Sequence, residues 1–299
     1  MAPFNIGLIL LSSLSHALWN VLTQGSKNPK YFSGLKGLWI ILMALISMSL
    51  YEFPFDHFGL IFWAGISGIL HGVYILCLSR AYDHQDISYV YPIARSAPAF
   101  VPLGAYFLLG EHLPALTVLA IPVILLAIYI MHFDGHLVRG FQNLYQAVVH
   151  RDLRWAFYTL ALVVAYSLVD KRGMDVFFTG FPDRAFANGV IFFFLESLVG
   201  FSFYLAYLLL TDPPGEIFSV WKGEWRRALF AAFATLGSYG LICAVLQFEA
   251  VSAVVSVRQT SVLMVVYWGA WKMGEPFGGQ RLLAGGLTVL GITLIGLNP

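Results

Sequence analysis

Stretches of roughly 20 residues with at most one charged side chain recur along this sequence, among them 58–78, 115–131 and 187–210. The hydrocarbon core of a bilayer is about 30 Å thick, and a helix of that length crosses it. In lipid every backbone N–H and C=O must be satisfied inside the element or barrel that contains it, so only helices and closed barrels remain. The runs are continuous and about twice as long as the alternating strands of a barrel. The expected fold class is therefore all-α and integral to a membrane.

Composition agrees. The 299 residues are 59% hydrophobic and 11% charged, with a mean hydropathy of +0.76. A soluble chain carries about 25% charged residues, and this one has too few to coat a water-soluble particle. A net charge of +1 gives no reason to expect a nucleic-acid partner. Cys77 and Cys243 both lie in apolar runs and read as small hydrophobic residues. The first residues, Met1-Ala-Pro-Phe-Asn5, lack a basic region and a cleavage site, so they read as the start of a retained helix.

Polar and Pro/Gly punctuation divides the chain into ten expected spans: 4–23, 34–51, 58–80, 86–109, 115–132, 155–171, 184–210, 228–248, 251–273 and 281–298. One long polar connection, 133–154, separates a first five-helix repeat, 1–132, from a second, 155–299. The halves match in order. Leu70 aligns with Leu236, Cys77 with Cys243, Tyr82 with Phe248, Ile87-Ser88 with Val251-Ser252, and Gly110-Glu111 with Gly274-Glu275. Span one aligns with span six, Leu18 on Leu168 and Asn20 on Asp170. Five is odd, so the second half enters the membrane inverted, a plan that recurs among transporters.

The stretch 81–112, with Tyr91-Pro-Ile-Ala-Arg95 and the closing Gly110-Glu111, resembles the EamA repeat of the drug/metabolite transporter superfamily. A second copy, 246–275, ends in Lys272-Met-Gly-Glu275. Gly285, Gly286 and Gly291 follow in the last span, and the resemblance runs along essentially the whole chain. It implies ten helices in two inverted repeats, export or exchange of metabolites, and a place in a bacterial plasma membrane. The Tyr-Pro-Ile-Ala-Arg string is also similar to a branch associated with phosphonate utilisation. Family members keep both termini in the cytoplasm, and here the charges disagree. On the termini side stand Lys171, Arg172 and Arg184, three in all. The opposite side carries twelve: Lys27, Lys30, Lys36, Arg80, Arg139, Arg151, Arg154, Lys222, Arg226, Arg227, Lys272 and Arg281. The positive-inside rule then puts the termini outside the cytoplasm, so orientation stays open at this stage.

Ionisable residues deep in a span are costly and default to functional candidates: His16, His71, Arg95, Asp170, Glu196 and Arg258. Arg95 lies one turn after Tyr91 on the proline-broken fourth span, and Arg258, beside Gln259, holds nearly the same place in the second copy. Guanidinium forks suit carboxylate or phosphate, so an anionic or zwitterionic small-molecule substrate is expected there. The structural alternative is that each arginine ties helices together. Glu196 is the candidate proton carrier, because an isolated carboxyl at that depth favours its neutral form. His16, Trp19 and Asn20 on span one, Tyr166 on span six, and Tyr74 and Tyr239 complete the expected amphipathic lining. Asp170, beside Lys171 and Arg172, reads as a solvated helix end. Glu111 and Glu275 read as capping or loop-bracing residues.

No metal-spaced His/Cys cluster, nucleotide-binding loop or nucleophile elbow is present in the sequence. No metal, cofactor or catalytic residue is therefore expected, and an enzyme is the lesser reading. The leading expectation is a secondary transporter working by alternating access, efflux coupled to protons or to exchange. A lipid-phosphate flippase of the same fold is the alternative, with the arginines holding the headgroup. With both halves in one chain, a monomer surrounded by membrane lipid suffices.

Overall fold

The computed structural model describes residues 1–84, 96–132, 154–261 and 279–297. Among these the chain is helical, with no strand. The helices are α1 (Pro3–Gln24), α2 (Pro29–Leu50), α3 (Phe58–His84), α4 (Ala97–Leu109), α5 (Ala115–His132), α6 (Arg154–Gly180), α7 (Ala185–Thr211), α8 (Pro214–Leu246), α9 (Val251–Arg258) and α10 (Gly279–Gly296). Five of them, α1, α2, α3, α7 and α8, contain stretches long and apolar enough to cross a membrane. Their outer faces fit that solvent: Leu11, Leu14 and Leu18 form an exposed apolar stripe on α1 at helical spacing.

Three boundaries differ from the sequence expectation. The second span begins at Pro29 and not near residue 34, because Asn28 caps it: its Oδ1 accepts the Tyr31 N–H at 3.1 Å, and Pro29 supplies a pre-set first turn. The sixth span continues past residue 171 to Gly180, its charges bridged along the helix by Lys171 and Asp175 at 2.8 Å. The eighth begins at Pro214 and not near 228, since its charged first turns have a buried face. Ile217 is fully buried there, and the Trp221 indole donates to the Tyr31 carbonyl at 2.8 Å. Parts of the expected fourth and ninth spans, and the connection 133–153, lie outside the described residues.

The chain forms two compact units, each drawn from both halves of the sequence. The first comprises Met1–Leu10, Cys77–Leu168 and Glu249–Pro299. In it α10 packs along α5, with Gly291 directly against Ile124, and α9 packs on α4. The Gly-Glu pair after α4 has a clear local role. Gly110 adopts the left-handed conformation, φ 68°, that ends α4. Glu111 then reaches α9, its Oε1 accepting the Val251 N–H at 2.8 Å and its Oε2 the Ser252 hydroxyl at 2.6 Å. It caps that helix, as expected of it; Glu275 lies outside the described residues.

The second unit comprises Leu11–Leu76 and Val169–Phe248. Here α2, α7 and α8 pack against one another. Gly34 and Gly37 of α2 abut Leu208 and Phe201 of α7. One core cluster is Tyr31, Tyr204, Leu208 and Ile217, another Phe32, Leu35, Ala228 and Ala231. At the edge of the apolar region Lys30 pairs with Asp212 at 2.8 Å. Burial works against ionisation of the Asp212 carboxyl, but hydrogen bonds from Lys30 and Thr211 and the Lys30 charge outweigh it and hold Asp212 below the usual carboxylate range.

Candidate functional site

Inside the second unit, four helices bring five polar side chains together: Ser67 and His71 from α3, Asp170 from α6, Glu196 from α7 and Tyr239 from α8. Close backbone approach makes this possible. A Cβ at Gly68 would lie 2.5 Å from the Glu196 carbonyl oxygen, and one at Gly200 would lie 2.8 Å from the Gly68 carbonyl oxygen. A Cβ at Gly189 of α7 would lie 2.5 Å from the Ala244 nitrogen of α8. Small residues at these crossings let the helices touch, and the short Ser67 side chain then spans from α3 to its neighbours.

Ser67 is the hub. Its Oγ lies 2.5 Å from Asp170 Oδ1, 2.8 Å from Glu196 Oε2 and 3.2 Å from His71 Nδ1. Tyr239 donates its hydroxyl hydrogen to Asp170 Oδ2. His71 Nε2 is 3.1 Å from the Tyr239 oxygen, and its Nδ1 is 3.0 Å from the Ser67 carbonyl. The His71 and Tyr239 rings meet edge to face at 5.1 Å. Ser67 and Asp170 are fully buried, and Glu196 is 3% exposed.

Proton counting follows from this geometry. A serine hydroxyl has one hydrogen and a carboxylate has none to give. If Ser67 donates to Asp170, its contact with Glu196 is a hydrogen bond only when Glu196 is protonated, and the converse holds equally. The arrangement is complete with Glu196 donating to Ser67, Ser67 and Tyr239 donating to Asp170, and His71 donating from both ring nitrogens. It therefore has defined places for exchangeable protons in an apolar surrounding, where an unmatched charge is expensive. The ligand atoms of His71, Asp170 and Glu196 lie within 4.8 Å of one another, close enough to consider a metal ion. The Ser67 hydroxyl already lies between the two carboxyls, so proton sharing describes the donor set better.

Of the residues singled out in the sequence, His71, Asp170, Glu196 and Tyr239 enter this cluster. Glu196 is not isolated, since Ser67 and His71 face it. Asp170 requires a correction: it is fully buried and hydrogen-bonded, not a solvated helix end. Successive residues turn about 100° around a helix, so exposed Arg172 and buried Asp170 face different ways although close in sequence. His16 meets Trp19 edge to face at 4.9 Å, and Asn20 donates to the His16 carbonyl at 2.8 Å. Tyr74 is half-buried on α3, one turn after His71. Tyr166, Arg258 and Gln259 belong to the first unit, where Tyr166 and Gln259 are buried. Tyr91 and Arg95 lie outside the described residues. Ser67 escaped sequence reading; its only signal is a position four residues before His71, on the same helical face.

No protein-family model and no curated protein matches the chain. Among solved structures, 27 chains match in fold. One, described only as "Crystal structure of protein", superposes with a TM-score of 0.64 at 17% identity, over 98% of this chain and 96% of its own. Among its described residues this chain is thus all-helical, with five helices long and apolar enough to cross a membrane, and its fold is shared over nearly its full length by a known structure.

Proposed function

We propose that this protein is a secondary transporter of the drug/metabolite class, EamA-type, with ten spans in two inverted five-helix repeats. It moves a small anionic or zwitterionic metabolite, such as an amino acid or a phosphonate, across a bacterial plasma membrane. The proposed direction is efflux, driven by protons or by exchange. One observation carries the reading: two buried carboxyls, Asp170 and Glu196, share the Ser67 hydroxyl among apolar helices. A purely structural core has no use for that placement, because ionisable groups at membrane depth are costly and pair for a reason. A carrier that takes up and releases a proton during each cycle needs a buried group that is stable both with and without it. Alternating access around a polar midplane is the mechanism such repeats support.

The test is reconstitution in liposomes with an imposed pH gradient and a panel of radiolabelled amino acids, phosphonates and cationic drugs. At least one anionic or zwitterionic compound should move, at a rate that depends on the gradient. Glu196→Gln should retain substrate binding and lose the gradient dependence. A Glu196→Gln protein with an unaltered pH profile would remove Glu196 from coupling, and no flux of any compound would overturn the transporter reading.

A further inference from the structure

Lys36 is the only buried lysine or arginine among the described residues, 5% exposed on α2. Its position is two turns inside the helix. The ammonium nitrogen lies 3.7 Å from the centre of the Trp19 ring. Lys30 pairs with Asp212, Lys171 with Asp175, and Arg227 donates to the Leu22 and Gly25 carbonyls. Glu224, the buried acid of the same packing region, accepts the Lys27 N–H on Oε1 at 2.8 Å, and its Oε2 lies 3.8 Å from Arg227 without a hydrogen bond. No carboxylate approaches Lys36 within ion-pair distance among the described residues, and no hydrogen-bond acceptor meets it there.

A second unpaired donor lies one turn along α2. The Trp39 indole N–H is buried without a hydrogen-bond partner, three residues on and therefore on the same face of α2. Trp19 and Trp39 pack on the same core of Phe32, Leu35, Ala228 and Ala231. An aromatic face offsets only part of the cost of desolvating an ammonium. A lysine that merely snorkelled would carry its charge out to water, whereas this one stays under an indole. A buried indole N–H with nothing to donate to and an ammonium without a carboxylate partner are half of an anion site.

We propose that Lys36 and the Trp39 indole N–H form an oxyanion-binding subsite walled by Trp19, which takes the carboxylate or phosphonate group of the solute. As a step in transport this rests on the transporter reading above; as a binding site it does not. The lysine's point charge suits either oxyanion, the indole adds one directed hydrogen bond, and Trp19 keeps water from competing. A lipid headgroup phosphate offers the same chemistry, so the experiment separates the two sources.

Binding of sodium phosphate and sodium acetate to the purified full chain in detergent would be measured by titration calorimetry, with tetramethylammonium chloride as ionic control. The same proteins would be melted in nanodiscs of phosphatidylcholine with and without phosphatidylglycerol. Wild type and Lys36→Arg should bind one of the two anions, and Lys36→Met should lose at least tenfold in affinity. Stabilisation by phosphatidylglycerol that needs Lys36, without binding of either free anion, would also support the oxyanion site, with lipid as its source. Equal affinity in wild type and Lys36→Met overturns the proposal, as does a wild type indifferent to both anions and to the lipid. If Lys36→Met does not fold, Trp39→Phe decides: it removes the donor and keeps the ring, and an unchanged affinity overturns the subsite. Anion binding with no flux in liposomes would count against the transporter reading and leave this site standing.

Discussion

The hydrogen on one serine governs how the candidate site behaves. Ser67 touches both carboxyls and the imidazole, so the two acids titrate as a linked pair and not separately. Ser67→Ala breaks that link while leaving a side chain small enough for the α3 crossing. Asp170 loses a donor to its ionised form, and Glu196 loses the acceptor of its proton. The pH midpoint of proton-driven flux should therefore move. Flux measured between pH 5 and 9 checks this, and an unmoved midpoint would mean that Asp170 and Glu196 act independently. Sequence reading reached His71, Glu196 and Tyr239 because an ionisable group or a phenol in an apolar run stands out. It passed over Ser67, which is neutral, and misjudged Asp170, whose neighbours along the chain are not its neighbours around the helix. Lys36 was misplaced for a related reason: with the span taken to begin near residue 34 it counted as a terminal charge, and the Asn28 cap moves that start back to Pro29.

At the scale of helices, apolar length was the legible quantity and termini were not. The charged residues 214–227 look like a connection, yet Ile217 and Trp221 give them a face that packs on α2. What sets the helices at the right distance is a pattern of glycines that composition alone does not reveal. Gly68 and Gly65 on α3 make a controlled comparison. An added Cβ at Gly68 would lie 2.5 Å from the Glu196 carbonyl and 2.7 Å from Val199 Cβ, whereas at Gly65 it would meet nothing within 4 Å. Gly68→Ala must push α3 from α7 and should destabilise by about 1–3 kcal/mol. Gly65→Ala should be neutral or stabilise by up to about 1 kcal/mol, since alanine is the better helix former. Thermal melts of both variants in the same detergent decide the matter, and equal losses would sink the idea that this crossing is set by backbone contact. Because Ser67 and Glu196 flank the contact, Gly68→Ala should also blunt the pH dependence of flux.

For the whole molecule, the balance of Lys and Arg predicts which way the chain faces the bilayer. The ten proposed spans would put both termini on one side, and the Lys/Arg bias would put that side outside the cytoplasm. The structure lets the bias be recounted. Lys36 is buried inside α2 and is no loop charge, which reduces the twelve basic residues opposite the termini to eleven. Lys30 lies near the start of α2, Arg226 and Arg227 lie about a dozen residues into α8, where its apolar stretch begins, and only three basic residues are counted on the termini side. Eleven against three still favours exterior termini, contrary to the orientation that the family resemblance implies. A phosphatase fused at Pro299 should then be active in intact cells, and a fluorescent protein at the same place dark, with the same pattern for reporters before Met1. Both termini inside would mean that charges near helix ends misled the count. Termini on opposite sides would mean an odd number of spans. That last result would remove the inverted repeat itself, since ten spans in two five-helix halves require the termini to agree.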